Sequence, residues 1–162
     1  MTLPASIASR LKIPLIAAPM LRVSGPDLVS AACRAGVVGS FPTVNARSSE
    51  ELDAWLTRIA DDCARTEGPT APACPNIIMR RQPELLAEDV KVLVKHKVEM
   101  VIASVGSPEA VIKPLHDVGC LVFADVASIR HAEKALSVGT DGLVLLSAGA
   151  GGQTGWVNGM SF

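Results

Sequence analysis

Met100-Val101-Ile102-Ala103-Ser104, then Pro108 to Val118, then Leu121-Val122-Phe123-Ala124-Asp125: this stretch decides the fold. Two short apolar runs flank a helical pattern. Neither run alternates polar with apolar residues, so each reads as a strand buried on both faces. A helix between two such strands makes them parallel neighbours joined by a right-handed crossover. Pro114 is an internal flaw in that helix.

The same unit repeats outward in both directions. Toward the C-terminus, a helix from Ser128 to Val138, closed by Gly139, leads to a strand over Asp141 to Ser147. Toward the N-terminus, a helix over Pro83 to Lys97 follows a strand over Ala73 to Met79, which carries Pro75 and is unusual for that reason. Before it, Ser48 and Glu51 form a capping box that opens a helix with Leu52, Leu56, Ile59 and Ala60 as its apolar stripe. Val37 to Phe41 reads as a strand. Asp27 to Arg34 reads as a helix with Ser24 or Asp27 as N-cap and Gly36 past its end. Ile13 to Ala18 is the first strand, ended by Pro19-Met20.

Six strands alternating with helices fit an α/β class protein, either an open doubly wound sheet or a (β/α)8 TIM barrel. Periodicity does not separate the two. A whole barrel takes about 250 residues, so for these 162 residues the barrel reading implies one incomplete domain over 1–162, with strands seven and eight absent. The open edges of strands one and six would then need cover. A second copy of the chain or a complementary half-barrel is the expected partner.

Composition narrows the function. A net charge of -1 and the scarcity of aromatics (no Tyr, two Trp, three Phe) argue against a nucleic-acid partner. No run approaches the roughly 20 apolar residues of a membrane span, and no signal peptide is visible, so a cytoplasmic protein is expected. The four cysteines are scattered, without Cys-x-x-Cys or Cys/His spacing, and read as small buried residues rather than metal ligands. His96, His116 and His131 lie in or beside helices and are expected to face solvent.

In either architecture function collects at the C-terminal ends of the strands. Asn76 there is a buried amide that needs partners, structural or ligand. Asp125 ends an apolar strand and is open to three roles: base or ligand anchor, cap of the next helix, or acceptor from nearby backbone. Gly149-Ala150-Gly151-Gly152-Gln153-Thr154-Gly155 follows the last strand. It lacks the spacing of a dinucleotide fingerprint or a P-loop. Gln153 in it offers an amide with both a donor and an acceptor. Trp156 reads as a packing anchor.

Taken together, Ile13 to Met20, Ala31 to Ser40 and Ala148 to Gly155 resemble three segments of the nitronate monooxygenases, FMN-dependent (β/α)8 barrels formerly called 2-nitropropane dioxygenases. The resemblance implies FMN at the C-terminal mouth. Pro19 and Met20 would lie against the isoalloxazine ring, Asn76 would contact it, and Gly151-Gly152 would let backbone approach. It implies oxidation of alkyl nitronates, or related small anions, with O2. The family's signature histidine is Gln153 here, and a lysine of many members is Asp125. A nitronate is already deprotonated, so Gln153 would hold its nitro oxygens by donation instead of acting as a base. The alternative expectation is a degenerate barrel that serves as a non-catalytic binding module; an open-sheet enzyme for a phosphometabolite is a third.

Overall fold

The computed structural model describes residues 3–161. Six strands, β1 (Ile16–Ala17), β2 (Val38–Pro42), β3 (Ala73–Ile78), β4 (Met100–Ser104), β5 (Leu121–Val126) and β6 (Gly142–Leu145), pair in parallel and in chain order. A doubly wound sheet would reverse its strand order at a switch point. No reversal occurs here, and the sheet curls into part of a (β/α)8 barrel. The helices are α1 (Ala5–Ala8), α2 (Pro26–Arg34), α3 (Ser49–Ala64), α4 (Pro83–Lys95), α5 (Glu109–His116) and α6 (Ile129–Ser137), with a 3-10 turn over Thr43–Asn45. No helix among the described residues is long and apolar enough to cross a membrane.

Strand alternation sorts the core into two layers. Phe41, Ile77, Val101 and Val122 pack outward against Leu52, Leu56, Ile59, Leu93 and Leu115 of the helices. Each such burial is worth about 1.5–3 kcal/mol. Val38, Cys74, Met100 and Ile102 point inward, where Phe123, Val144 and Ile7 of α1 join them. Arg10, just past α1, pairs with Glu99 at the start of β4, so α1 covers the N-terminal end of the strands. The opposite end stays open as a mouth.

Several local expectations need correction. β1 is shorter than Ile13 to Ala18 because Pro14 has no N–H to give a ladder, and Ile13 and Leu15 are exposed. Neither Ser24 nor Asp27 caps α2; Gly25 holds that position with no side-chain bond. Ser48 Oγ does accept from Glu51 N at 3.2 Å, but the Glu51 carboxylate reaches back to Arg47 N, at 2.6 Å. Pro75 sits inside β3, fully within the sheet and opposite Phe41. His96 does not face solvent: its side chain is 17% exposed, with Nε2 2.6 Å from Asp53, so it ties α4 to α3. Trp156 is 97% exposed and anchors no packing among the described residues.

Candidate active site

The mouth is built from inward-facing residues at the last positions of the central strands. Asn76 of β3 and Ser104 of β4 are both buried. The Asn76 Nδ2 donates to Ile102 O at 3.0 Å and to Ser104 Oγ at 2.6 Å. Sheet register places Ile78 beside Ser104, so Asn76 reaches diagonally along the neighbouring strand. The amide is thus satisfied locally through its nitrogen, while its oxygen accepts from no described residue and faces the barrel interior.

Next along the same face is Asp125 of β5. Burial pushes its carboxyl above the ordinary carboxylate range; the Ser104 hydroxyl and the Val105 backbone N–H, which face it, act in the opposite sense. Of the roles open to Asp125, the helix cap is taken by Ser128, which caps α6 by accepting from His131 N at 3.2 Å. Val105 has φ 59°, a left-handed conformation that is rare for a β-branched residue. That strained residue turns the chain at the rim of the mouth.

Asp125 lines a cleft of about 510 Å³. Its walls come from the β4–α5 loop (Gly106, Ser107), from α6 (His131, Lys134) and from Arg80 after β3; Gln153 and Thr154 close it from the glycine segment. Two of the sequence-derived site residues, Asp125 and Gln153, therefore meet in one cleft. Asn76 adjoins them through Ser104. Pro19, Met20, Gly151 and Gly152 do not line it. Arg80 and Lys134 are the side chains that sequence reasoning passed over; His131, expected to face solvent, is exposed and lines the cleft.

The β1–α2 loop that carries Pro19 and Met20 is held by one side chain. Asn45 Nδ2 donates to Met20 O at 3.0 Å and Ser24 O at 2.8 Å, and its Oδ1 accepts from Arg22 N at 2.9 Å. Ser24, excluded from capping, accepts from Met20 N at 3.0 Å. Behind the rim, buried Asp89 of α4 accepts from Thr43 Oγ1 and from Arg81 Nη1, both at 2.7 Å, and so joins the loops that follow β2 and β3.

In the glycine segment, Thr154 Oγ1 donates to Ser147 O at 2.8 Å and Ala148 N to Val157 O at 2.8 Å. Gly155 is the residue that close packing requires, since a Cβ there would fall 1.9 Å from Leu146 O. Gly151 and Gly152 behave differently: a Cβ on either meets nothing within 4 Å. Their open flank, together with the unpaired Asn76 oxygen on the inner face, fits a planar group with hydrogen-bonding edges. Three of the four thiols are no candidates for covalent chemistry. Burial pushes Cys33 and Cys120 up to about 12 and raises Cys74 as well, so all three stay protonated.

Comparison with known proteins agrees with this geometry. The chain is 24% identical over 142 residues to the Mycobacterium tuberculosis protein (3aS,4S,5R,7aS)-5-hydroxy-7a-methyl-1-oxo-octahydro-1H-indene-4-carboxyl-CoA dehydrogenase, an alignment covering 88% of this chain and 38% of that protein. FabK from Thermotoga maritima superposes with TM-score 0.78 at 26% identity, over 97% of this chain and 48% of its own. Nitroalkane oxidase from Streptomyces ansochromogenes gives TM-score 0.78 at 21% identity, over 93% and 51%, a likeness of fold. The chain thus spans about half the length of these structures. The nitronate monooxygenase family model matches residues 60–161, from the C-terminal end of α3 through the glycine segment, and the chain belongs to the nitronate monooxygenase family.

Proposed function

We propose that this chain forms the substrate-facing part of an FMN-dependent oxidoreductase that oxidises alkyl nitronates, or related small anions, with O2. The observation that carries the reading is the meeting of Asp125 and Gln153 in one cleft, with Asn76 joined to them through Ser104. When bound, FMN would supply the redox couple between substrate and O2. Pro19, Met20, Asn76, Gly151 and Gly152 would hold it: apolar side chains for its ring, an amide for its polar edge, open backbone for close approach. Gln153 takes no proton near neutral pH, so its part is to orient a nitronate by donating N–H to the nitro oxygens. Asp125 would set the charge that faces the cofactor. Addition of propane-2-nitronate to the FMN-loaded protein under anaerobic conditions should bleach the flavin absorbance. A protein that takes up no flavin, or whose flavin stays oxidised, contradicts the reading.

The cleft is large for a three-carbon nitronate, and the dehydrogenase from M. tuberculosis acts, by its name, on a carboxyl-CoA thioester. These two observations favour a second reading, dehydrogenation of an acyl thioester at the same flavin. Bleaching by a thioester and not by a nitronate would select it.

The two sheet edges motivate a proposal about assembly. β1 and β6 each have one neighbour, and Ile13 and Leu15 near one edge and Leu145, Trp156 and Met160 near the other are exposed. A second copy or a complementary half-barrel would cover them. A monomer at micromolar concentration in light scattering would count against this. The four cysteines are free thiols, as a reducing cytoplasm would keep them.

A further inference from the structure

We propose that the cleft between the β4–α5 and β5–α6 loops is an anion subsite that holds a phosphate borne by the substrate at a distance from its reacting carbon, with Arg80 and Lys134 as the contacting cations. The inference deepens the second, acyl-thioester reading of the mouth and rests on it.

Arg80 and Arg81 are neighbours with different commitments. Arg81 is bound to buried Asp89 at 2.7 Å. Arg80 is exposed, pairs with no carboxylate among the described residues, and lines the cleft. On the facing wall, Lys134 reaches only Glu109, at 3.8 Å, with both side chains well over half exposed. Such a wet pair contributes little and gives way to a better anion. His131 lies one turn before Lys134 on the same face of α6 and lines the same wall. Asp125, part-buried, is the one acid among the lining residues. The cations thus stand on the exposed part of the lining and the carboxyl on a part-buried one.

That polarity fits a ligand whose reacting end is deep and whose charge is outside. The volume, about 510 Å³, lies in the range that encloses extended ligands. An uncommitted guanidinium offers a planar fork that matches phosphate oxygens, and an ammonium opposite adds a second point charge. An alkyl nitronate uses neither. A nucleotide thioester, which carries phosphates at the far end of a long arm, uses both.

The test is calorimetric titration of the FMN-loaded protein at low salt with inorganic pyrophosphate, coenzyme A and phosphate-free pantetheine. FMN occupancy keeps the probes out of the cofactor's own phosphate site. Pyrophosphate and coenzyme A should bind in competition, with pantetheine far weaker. Arg80→Gln and Lys134→Gln should each weaken coenzyme A about tenfold, or about 1.4 kcal/mol. Arg80→Lys should recover part of that loss, and Arg65→Gln, which removes a charge on α3's far end, should lose nothing. Binding unaffected by Arg80→Gln and Lys134→Gln overturns the proposal. So does binding of pyrophosphate without coenzyme A, which would mark a site for free phosphate. Flavin absorbance of the same samples judges the redox reading separately: a yellow protein that ignores pyrophosphate sinks the subsite alone. A protein that refuses flavin but loses pyrophosphate binding on Arg80→Gln keeps the subsite and sinks the redox reading.

Discussion

Two glycines four residues apart should respond in opposite ways to the same added methyl. In Gly155→Ala the new Cβ would sit 1.9 Å from Leu146 O and 3.1 Å from Leu146 C, both backbone atoms that cannot rotate away. The segment must shift, at about 1–3 kcal/mol for an overpacked site. At 2–4 °C per kcal/mol for a chain of this size, the melting temperature falls by about 2–12 °C. In Gly151→Ala the Cβ meets nothing within 4 Å, and the residue lies outside the left-handed region. The folded chain has room for it, and the unfolded chain loses freedom, so the cofactor-free protein should gain about 0.4–1 kcal/mol. If the open flank of Gly151 receives the flavin, the same methyl obstructs it and FMN affinity should fall at least about tenfold. Differential scanning fluorimetry of the cofactor-free variants and flavin-fluorescence titration read the two effects apart. A Gly151→Ala protein destabilised as much as Gly155→Ala, or a Gly155→Ala protein of unchanged stability, would refute the packing argument. Unchanged FMN affinity in Gly151→Ala would refute the placement of the cofactor.

Three further outcomes follow from the rim. Asp89→Ala leaves the poorly exposed Arg81 guanidinium and the Thr43 hydroxyl without their acceptor, and should destabilise by about 3–5 kcal/mol in urea denaturation. Asn45→Ala removes three hydrogen bonds from the β1–α2 loop; amide exchange over residues 20–24 should accelerate about tenfold or more while exchange in the α3 core stays slow. Burial holds the Asp125 carboxyl above its unfolded value, so between those two values the folded state binds more protons than the unfolded one. Stability from this group is present below the ordinary carboxylate range and is lost as pH rises through the raised folded value. Asp125→Asn should flatten that decline, as read from urea midpoints at pH 4 and pH 7; an unchanged slope would show that Asp125 is not its source.

The six strands were legible because each is an apolar run bounded by Gly, Pro or a helix cap, which is how burial on both faces writes itself. The barrel was not separable from an open sheet, since strand order is a tertiary fact carried by no single run. α1 and the turn over Thr43–Asn45 went unread; four and three residues are too short to show a period. Asn76 and Asp125 stood out as polar residues in apolar strands and Gln153 as the amide within the glycine segment, both local signals. Arg80 and Lys134 gave none, and His131 read only as a solvent-facing residue of a helix. They are ordinary charged residues on a loop and a helix, and only the parallel sheet, by gathering its C-terminal ends, sets them around one cleft. Ser24 misled for a related reason: a serine before a helix looks like a cap, but here Met20 and Asn45 claim the loop instead.

The central claim is that the barrel mouth receives a flavin between the β1–α2 loop and the glycine segment. Hydrogen–deuterium exchange of the protein with and without FMN tests it most directly. The account predicts that FMN slows exchange in two segments far apart in sequence, residues 18–24 and 147–155, and leaves α1 at the opposite end of the strands unchanged. Protection confined to other segments, or none in the presence of saturating FMN, would contradict it.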